Sequence, residues 1–255
     1  MNKKLFLMLI SIPGIISLLP KLTQAYEGII ALAEYQNLSY EKFIIAALVQ
    51  TALLVLGSVF LGSWATQKIG WYDPILDGIE NNNMQQIKQG IVTSVIPSLQ
   101  YIIPAALLFI VMIHLFLFPW LDANVLAQIN DFSLPILMTR IFYGGIVEEI
   151  MLRWAILSLF VAIGFKIFAS DRQAAWWAAI IIAAFVFGGG HLPNYLATTN
   201  DPTVSQMLLI IKANMIPGIF FGWIFKRFGL IAAMVAHTMF HCIWFAVVLV
   251  LALIK

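Results

Sequence analysis

Long apolar runs separated by short polar stretches make up most of this sequence. A helix needs about 20 mostly apolar residues to cross the hydrocarbon core of a bilayer, and most of the runs are near that length. The pattern predicts about seven membrane-spanning helices, at residues 5–19, 43–65, 102–121, 134–165, 174–190, 207–225 and 230–254. We therefore expect an all-α polytopic transmembrane bundle in which residues 1–255 form a single membrane domain.

The first run has a second interpretation, as a secretory signal peptide that is removed. Lys3 and Lys4 precede it, and Thr23-Gln24-Ala25 resembles a weak cleavage site. We favour an uncleaved span, because many more spans follow and Pro20-Lys21 predicts the end of a helix at that point. The orientation predicted for the remaining spans is the same in either case.

Composition places the chain in the membrane class before any motif is considered. Hydrophobic residues make up 62% of the chain and charged residues only 10%, whereas soluble domains are about half apolar and a quarter charged. The net charge of +2 gives no reason to expect a nucleic acid partner. The single cysteine, Cys242, cannot form an internal disulfide.

Lysine and arginine predict the orientation of the spans, because they accumulate in cytoplasmic loops. Cations precede the first predicted span and follow the second, fourth and sixth, at Lys3, Lys4, Lys68, Lys88, Lys166, Arg172, Lys226 and Arg227. This distribution predicts a cytoplasmic N-terminus. No organelle signal is evident, and we expect an integral protein of a bacterial plasma membrane.

The longest polar stretch covers residues 67–100 and has two interpretations. Ile87, Ile91 and Val95 recur at helical spacing, which predicts an amphipathic helix lying on the inner membrane face. A solvated connector between the second and third spans accounts for the composition equally well.

Charged residues inside the fourth predicted span are the first indication of chemistry. Ionisable groups at membrane depth are costly, and they usually mark a site or face a wet cavity. Glu149 and Arg153 are four residues apart and can pair on one helix face. Glu148 points about 100° away from Glu149 on an α-helix, so it is free to act as a general base. The alternative is an ion-pair network that only holds helices together.

Histidines in two other predicted spans extend this set. His191 ends the fifth run after Gly188, Gly189 and Gly190, which allow close approach of a neighbouring helix or of a substrate backbone. His237 and His241 share one face of the seventh span. Their structural alternative is hydrogen bonding between helices, which membrane proteins use.

Carboxylates and imidazoles together can activate water and stabilise an oxyanion. They can also bind zinc, and the spacing of His237 and His241 is the one that zinc peptidases use. No glutamate follows His237, so the zincin motif itself is missing. No phosphate-binding loop is present either, because no Lys-Ser/Thr follows Gly190.

Three motifs in order resemble the CPBP family of intramembrane peptidases, which includes CAAX prenyl endopeptidases, bacteriocin-processing enzymes and abortive-infection proteins. The family pattern is Glu-Glu-x-x-x-Arg, then Phe-x-x-x-His, then His-x-x-x-Asn/Asp. Here the motifs read Glu148-Glu149-Ile150-Met151-Leu152-Arg153, then Phe187 to His191, then His237 to His241. The resemblance covers residues 134–244, the expected catalytic core. The departure is His241, where the family has Asn or Asp.

The resemblance implies an endopeptidase that hydrolyses hydrophobic or membrane-anchored peptides in contact with the bilayer. It implies that Glu148 activates the water, His191 positions it, and His237 holds the oxyanion. Glu149 and Arg153 would support the site, and His241 would donate a hydrogen bond in place of Asn. This preferred mechanism needs no cofactor. In the alternative, zinc would be held by ligands chosen from Glu148, His191, His237 and His241.

Two functions of other classes remain open at this stage. A proton-coupled transporter would use Glu148, Glu149 and His191 as a relay, and Lys212 in the sixth span would fit it. A catalytically inactive homologue would bind and regulate a membrane partner, which His241 in place of Asn favours. The predicted depths also conflict, because Glu148 lies near the middle of its span, His191 at the outer end and His237 in the inner half.

Overall fold

A computed structural model describes residues 1–31, 35–131, 133–168, 171–197, 199 and 202–254. This part of the chain is almost entirely helical and contains no strand. The helices are α1 Lys3–Ile16, α2 Leu19–Ile30, α3 Tyr40–Ile69, α4 Pro74–Glu80, α5 Met84–Trp120, α6 Ala123–Ile129, α7 Leu134–Ile167, α8 Arg172–Leu196, α9 Val204–Phe228 and α10 Leu230–Ile254.

Six helices of the described residues are long and apolar enough to cross a membrane, namely α3, α5, α7, α8, α9 and α10. Helices α1 and α2 pass the same test as a pair, bent by 47° at the break between them. The chain is therefore a polytopic all-α membrane protein with six or seven spans, as the apolar runs predict.

The first predicted span is a bent pair of helices, and the predicted position of the helix end is wrong. Helix α1 ends at Ile16, and α2 already begins at Leu19 with Pro20 in its first turn. A proline is well accommodated there, because the amide groups of a first turn have no partner within the helix. Pro20 thus starts α2 instead of ending α1.

The predicted amphipathic segment is part of the third span. Helix α5 continues from Met84 through a π-helical turn to Phe116 and ends in a 3-10 turn at Phe118–Trp120, so residues 84–100 form neither a separate surface helix nor a solvated connector. A π-helical turn at Ile91–Val95 lies just before Pro97. Such turns are a common way for a helix to accommodate an interruption of its hydrogen-bond ladder.

Helix α7 lies at the centre of the bundle. In its most apolar stretch 44% of the residues are buried, compared with 17% in α3. Small residues let neighbouring helices approach closely. A Cβ at Gly62 of α3 would lie 2.5 Å from the backbone oxygen of Trp154, and a Cβ at Gly145 would lie 3.2 Å from Cα of Thr238 in α10.

Asp73 fixes the start of α10. Its Oδ1 accepts from the N–H groups of Ile75 and Leu76 at 2.9 Å, and its Oδ2 accepts from the N–H of Leu230 at 2.7 Å. One carboxylate thus caps two helices. Gly229 has a φ of +103°, and a Cβ there would lie 2.5 Å from Oδ2 of Asp73, so this turn requires glycine. Burial raises the pKa of Asp73 although three N–H groups donate to it.

Candidate active site

The part of α7 that carries the two adjacent glutamates is wound as a π-helix. Two π-helical segments, Thr139–Glu148 and Ile150–Leu157, flank Glu149. π-Helical turns are rare and occur frequently at functional sites. The wider winding does not prevent the pairing that the sequence spacing predicts, because Glu149 and Arg153 are in contact.

Glu149 lies at the centre of a buried charge network. The residue is fully buried, and its Oε1 lies 3.0 Å from a guanidinium nitrogen of Arg153 and 2.8 Å from Nδ1 of His237. Arg153 also donates to the carbonyl of Gly218 at 3.1 Å. This carboxylate therefore links α7 to α10, and its arginine links α7 to α9.

Aromatic rings complete the surroundings of the arginine. The guanidinium of Arg153 lies 5.0 Å from the ring centre of Phe187 and 5.5 Å from that of Phe221. The ring of Phe221 in turn stacks on His237, with ring centres 4.4 Å apart. A buried cation gains from such contacts with aromatic faces, so the network is packed on several sides.

The outer nitrogens of His237 and His241 converge on one point of α7. Because Nδ1 of His237 is bound to Glu149, its Nε2 faces the other way. A Cβ at Gly144 would lie 3.2 Å from Nε2 of His241 and 3.8 Å from Nε2 of His237. The two imidazoles stack with ring centres 4.9 Å apart. Gly144 precedes Glu148 by about one helical turn, so these nitrogens face the region of Glu148.

His191 has a defined tautomer. Its Nδ1 lies 2.8 Å from the carbonyl oxygen of Phe187. A carbonyl only accepts, so we assign the proton to Nδ1 and a lone pair to Nε2. The ring of Phe187 contacts His191 at 4.7 Å and His237 at 5.9 Å between ring centres. Because Phe187 contacts both rings, His191 and His237 lie close together, although the sequence predicts different depths for them in the membrane.

A cavity of about 800 Å³ brings these groups together. It lies at the end of the bundle away from the N-terminus, and its walls come from α2, α5, α6, α7, α8, α9 and α10. Its lining includes Glu148, His191, His237 and His241. Glu149 and Arg153 are not among the lining residues. The six candidates thus form two groups, four at the cavity and two behind its wall.

Other polar residues of the cavity are absent from the set chosen from sequence. Arg140, Tyr143 and Asn214 line it. Arg140 donates to the carbonyls of Gln128 and Ile129 at 3.0 and 2.9 Å. The sequence does give an indication of Asn214, because an amide side chain inside an apolar span is energetically costly unless it has a hydrogen-bond partner.

Two other sequence features do not reach the cavity. A Cβ at Gly188 would lie 2.5 Å from the carbonyl oxygen of Ile211, so this glycine lets α8 approach α9. Gly189 and Gly190 have open space beside them and do not line the cavity. Lys212 is exposed and outside the lining, so its position gives no support to a transport relay.

The residues present do not fit a zinc site. Within the described ranges, no three His, Cys, Asp or Glu side chains are placed so that they could hold a metal ion. The Nδ1 contacts of His191 and His237 with Phe187 and Glu149 leave each Nε2 facing away from those partners and do not bear on this point. We therefore assign no step of the reaction to a metal.

Residues 130–243 match the family model described as type II CAAX prenyl endopeptidase Rce1-like. This match, to the part of the chain that carries the three motifs, supports membership of the CPBP family. The same match supports intramembrane endopeptidase activity of the CAAX type. No curated protein and no solved structure matches it in the other two comparisons.

Proposed function

We propose that this protein hydrolyses a peptide bond of a hydrophobic or membrane-anchored substrate with a water molecule activated by Glu148. The observation that carries the proposal is the division of labour between two adjacent carboxylates. Glu149 is fully buried and bound to Arg153 and His237, whereas Glu148 is half-buried and lines the cavity. Glu148 is therefore available to exchange a proton with a bound water.

The reaction requires no covalent enzyme intermediate. Glu148 takes a proton from the water as its oxygen attacks the scissile carbonyl carbon, which gives a tetrahedral oxyanion. The carbon–nitrogen bond then breaks, and Glu148 returns the proton to the leaving amine. His191 presents the lone pair of Nε2, which can accept the second water hydrogen and so orient the nucleophile.

The oxyanion would be held by the imidazoles of α10. His237 donates Nδ1–H to Glu149, so a proton on Nε2 makes the ring an imidazolium, which the carboxylate stabilises. Arg153 pairs with the same carboxylate at 3.0 Å. Nε2 of His241 faces the same point of α7 and can donate a second hydrogen bond in place of the amide of Asn.

The cavity favours an extended peptide as the substrate. Its volume is within the range of sites that enclose small organic ligands, which suits a few residues and not a folded domain. Apolar side chains such as Phe109, Ile113 and Phe240 line it beside the polar groups. We therefore infer substrates that are hydrophobic or held at the membrane by an anchor.

The test is cleavage of a membrane-anchored peptide library by purified wild type and Glu148→Gln. The matched control is Glu80→Gln, because Glu80 pairs with Lys3 near the N-terminus and does not line the cavity. We expect Glu148→Gln to lose cleavage by about 10²-fold or more, while Glu80→Gln keeps the wild-type rate. Equal rates for wild type and Glu148→Gln would overturn the proposal.

The same variants separate the two rival functions. A transporter would show proton-coupled flux that Glu148→Gln abolishes, and the wild type would cut nothing. An inactive homologue would also cut nothing, but it would retain its partner after the Glu148→Gln change. Either pattern would replace the peptidase assignment.

A further inference from the structure

A second cavity, of about 350 Å³, lies near the turn between α9 and α10 and plays no part in the proposed reaction. Among its lining residues are Tyr72, Gln86, Gln89, Thr93, Lys226 and Arg227. It does not share a residue with the catalytic cavity. Its walls are the end of α9, the following Gly229 and the first part of α5, on the face that the cation distribution predicts to be cytoplasmic.

Two cations of this pocket lack an acidic partner. Lys226 donates to the amide oxygen of Gln173 at 2.7 Å, and Arg227 is exposed beside the ring of Phe228 at 5.4 Å. In the described part of the chain, no carboxylate forms an ion pair with either residue. Their positive charges are therefore available to an anion from outside the protein.

The remaining lining is suited to an oxyanion. Gln86 and Gln89 bring amide groups to the pocket, and Thr93 brings a hydroxyl group. The amide nitrogen of Gln86 already donates to the hydroxyl of Tyr72 at 3.0 Å, which places both at the rim. Neutral donors next to cations bind phosphate oxygens without adding a competing negative charge.

Aromatic residues indicate the depth of this pocket in the bilayer. Tyr101, Trp223 and Phe228 form a cluster, with ring centres 5.1 to 5.9 Å apart. The rings of Trp176 and Trp177 lie 5.9 and 5.6 Å from Nζ of Lys226. Tyr and Trp concentrate where lipid headgroups meet hydrocarbon, so the cations lie at headgroup level.

An apolar surface continues from the pocket along α5. Ile91, Val92 and Ile96 are 42, 60 and 48% exposed, and they lie within one helical turn of the lining residue Thr93. Exposed aliphatic side chains at this depth are suited to contact with acyl chains. The combination of cations, neutral donors and an apolar strip matches an amphiphile with an anionic head.

We propose that this pocket binds the phosphate group of an anionic phospholipid, with its acyl chains against Ile91, Val92 and Ile96. Basic pockets between membrane helices on the cytoplasmic side bind anionic headgroups in this way. The bound lipid would bridge α5 and the turn between α9 and α10. The inference stands independently of the peptidase function, because it uses no residue of the catalytic cavity.

The test measures binding of phosphatidylglycerol and of phosphatidylcholine to the full-length protein in a neutral detergent. The variants are Lys226→Gln and Arg227→Gln. Arg172→Gln is the matched control, because Arg172 is also exposed and also lies over an aromatic ring, that of Phe165 at 4.8 Å, but does not line the pocket. Unfolding temperatures without lipid show that each variant is folded.

We expect wild type to prefer phosphatidylglycerol and each pocket variant to bind it about fivefold more weakly, as for the loss of one cation near a membrane surface. Arg172→Gln should remain within about twofold of wild type. Equal binding of the two lipids, or an equal loss in Arg172→Gln, would overturn the proposal. Binding of inorganic phosphate alone with the affinity of the lipid would also overturn it, in favour of a soluble anion site.

Discussion

Replacing Glu149 with Gln tests whether the buried network is a coupled unit. Glu149 and Arg153 have side chains that are 0 and 2% exposed, so water cannot screen the charge that remains. In Glu149→Gln the guanidinium keeps only the carbonyl of Gly218 and the aromatic faces around it. Loss of one partner of a buried pair costs about 3–5 kcal/mol. We expect about 3 kcal/mol, because glutamine still offers one acceptor.

Replacing Arg153, alone and together with Glu149, shows whether the stability losses of the two residues are coupled. Arg153→Met alone should also cost about 3 kcal/mol, since it leaves the Glu149 carboxylate buried with only His237 as a partner. The double variant Glu149→Gln/Arg153→Met removes both charges at nearly constant volume. We expect it to be within about 1 kcal/mol of wild type, because neutral replacements of buried pairs are often close to neutral in stability.

The assay is reversible unfolding of the single and double variants in one detergent, with peptide cleavage measured in parallel. The double variant should recover stability without recovering cleavage, because His237 has lost the carboxylate that orients it. Losses that simply add in the double variant would refute the coupled network. Wild-type cleavage by the stable double variant would refute the role of Glu149 in supporting His237.

The remaining predictions concern packing and capping. Gly62→Ala should cost about 1–3 kcal/mol of unfolding free energy, because its Cβ would meet Trp154. The control Gly57→Ala, which has open space beside it, should change stability by less than about 0.5 kcal/mol. Equal effects of the two substitutions in thermal unfolding would contradict this packing. Asp73→Asn should cost about 1–3 kcal/mol, because an amide nitrogen would face the N–H of Leu230. Burial raises the pKa of Asp73 above its ordinary 3.8, so the folded state binds that proton more tightly and the advantage of wild type over Asp73→Asn should shrink as the pH rises above that value. An advantage that grows with pH in the same unfolding assay would contradict the shift.

Hydrophobic length was sufficient to predict most of the fold. Helix α10 covers Leu230–Ile254, as predicted, because bilayer thickness sets the length of an apolar helix whatever its neighbours are. The pairing of Glu149 with Arg153 also followed from spacing alone. The break between α1 and α2 could not be predicted in this way, because a proline in the first turn of a helix and a proline that ends a helix have similar neighbouring residues.

The candidate site was harder to predict, since it depends on contacts between spans. Sequence placed Glu148, His191 and His237 at different depths, and only the packing of Phe187 against both histidines shows how they meet. Asn214 was missed because an amide in an apolar run indicates a buried polar group but does not indicate which neighbours it faces. Its position at the cavity depends on the close approach of α9 to its neighbours, which spacing does not encode.

The central claim is that Glu148 activates water for peptide hydrolysis without a metal. The most direct measurement is cleavage of a membrane-anchored peptide by wild type and Glu148→Gln, each with and without a strong chelator. The account predicts that wild type cuts at the same rate in both conditions and that Glu148→Gln cuts in neither. Loss of wild-type cleavage with the chelator and its return with zinc would contradict the account and make His191, His237 and His241 the leading ligands.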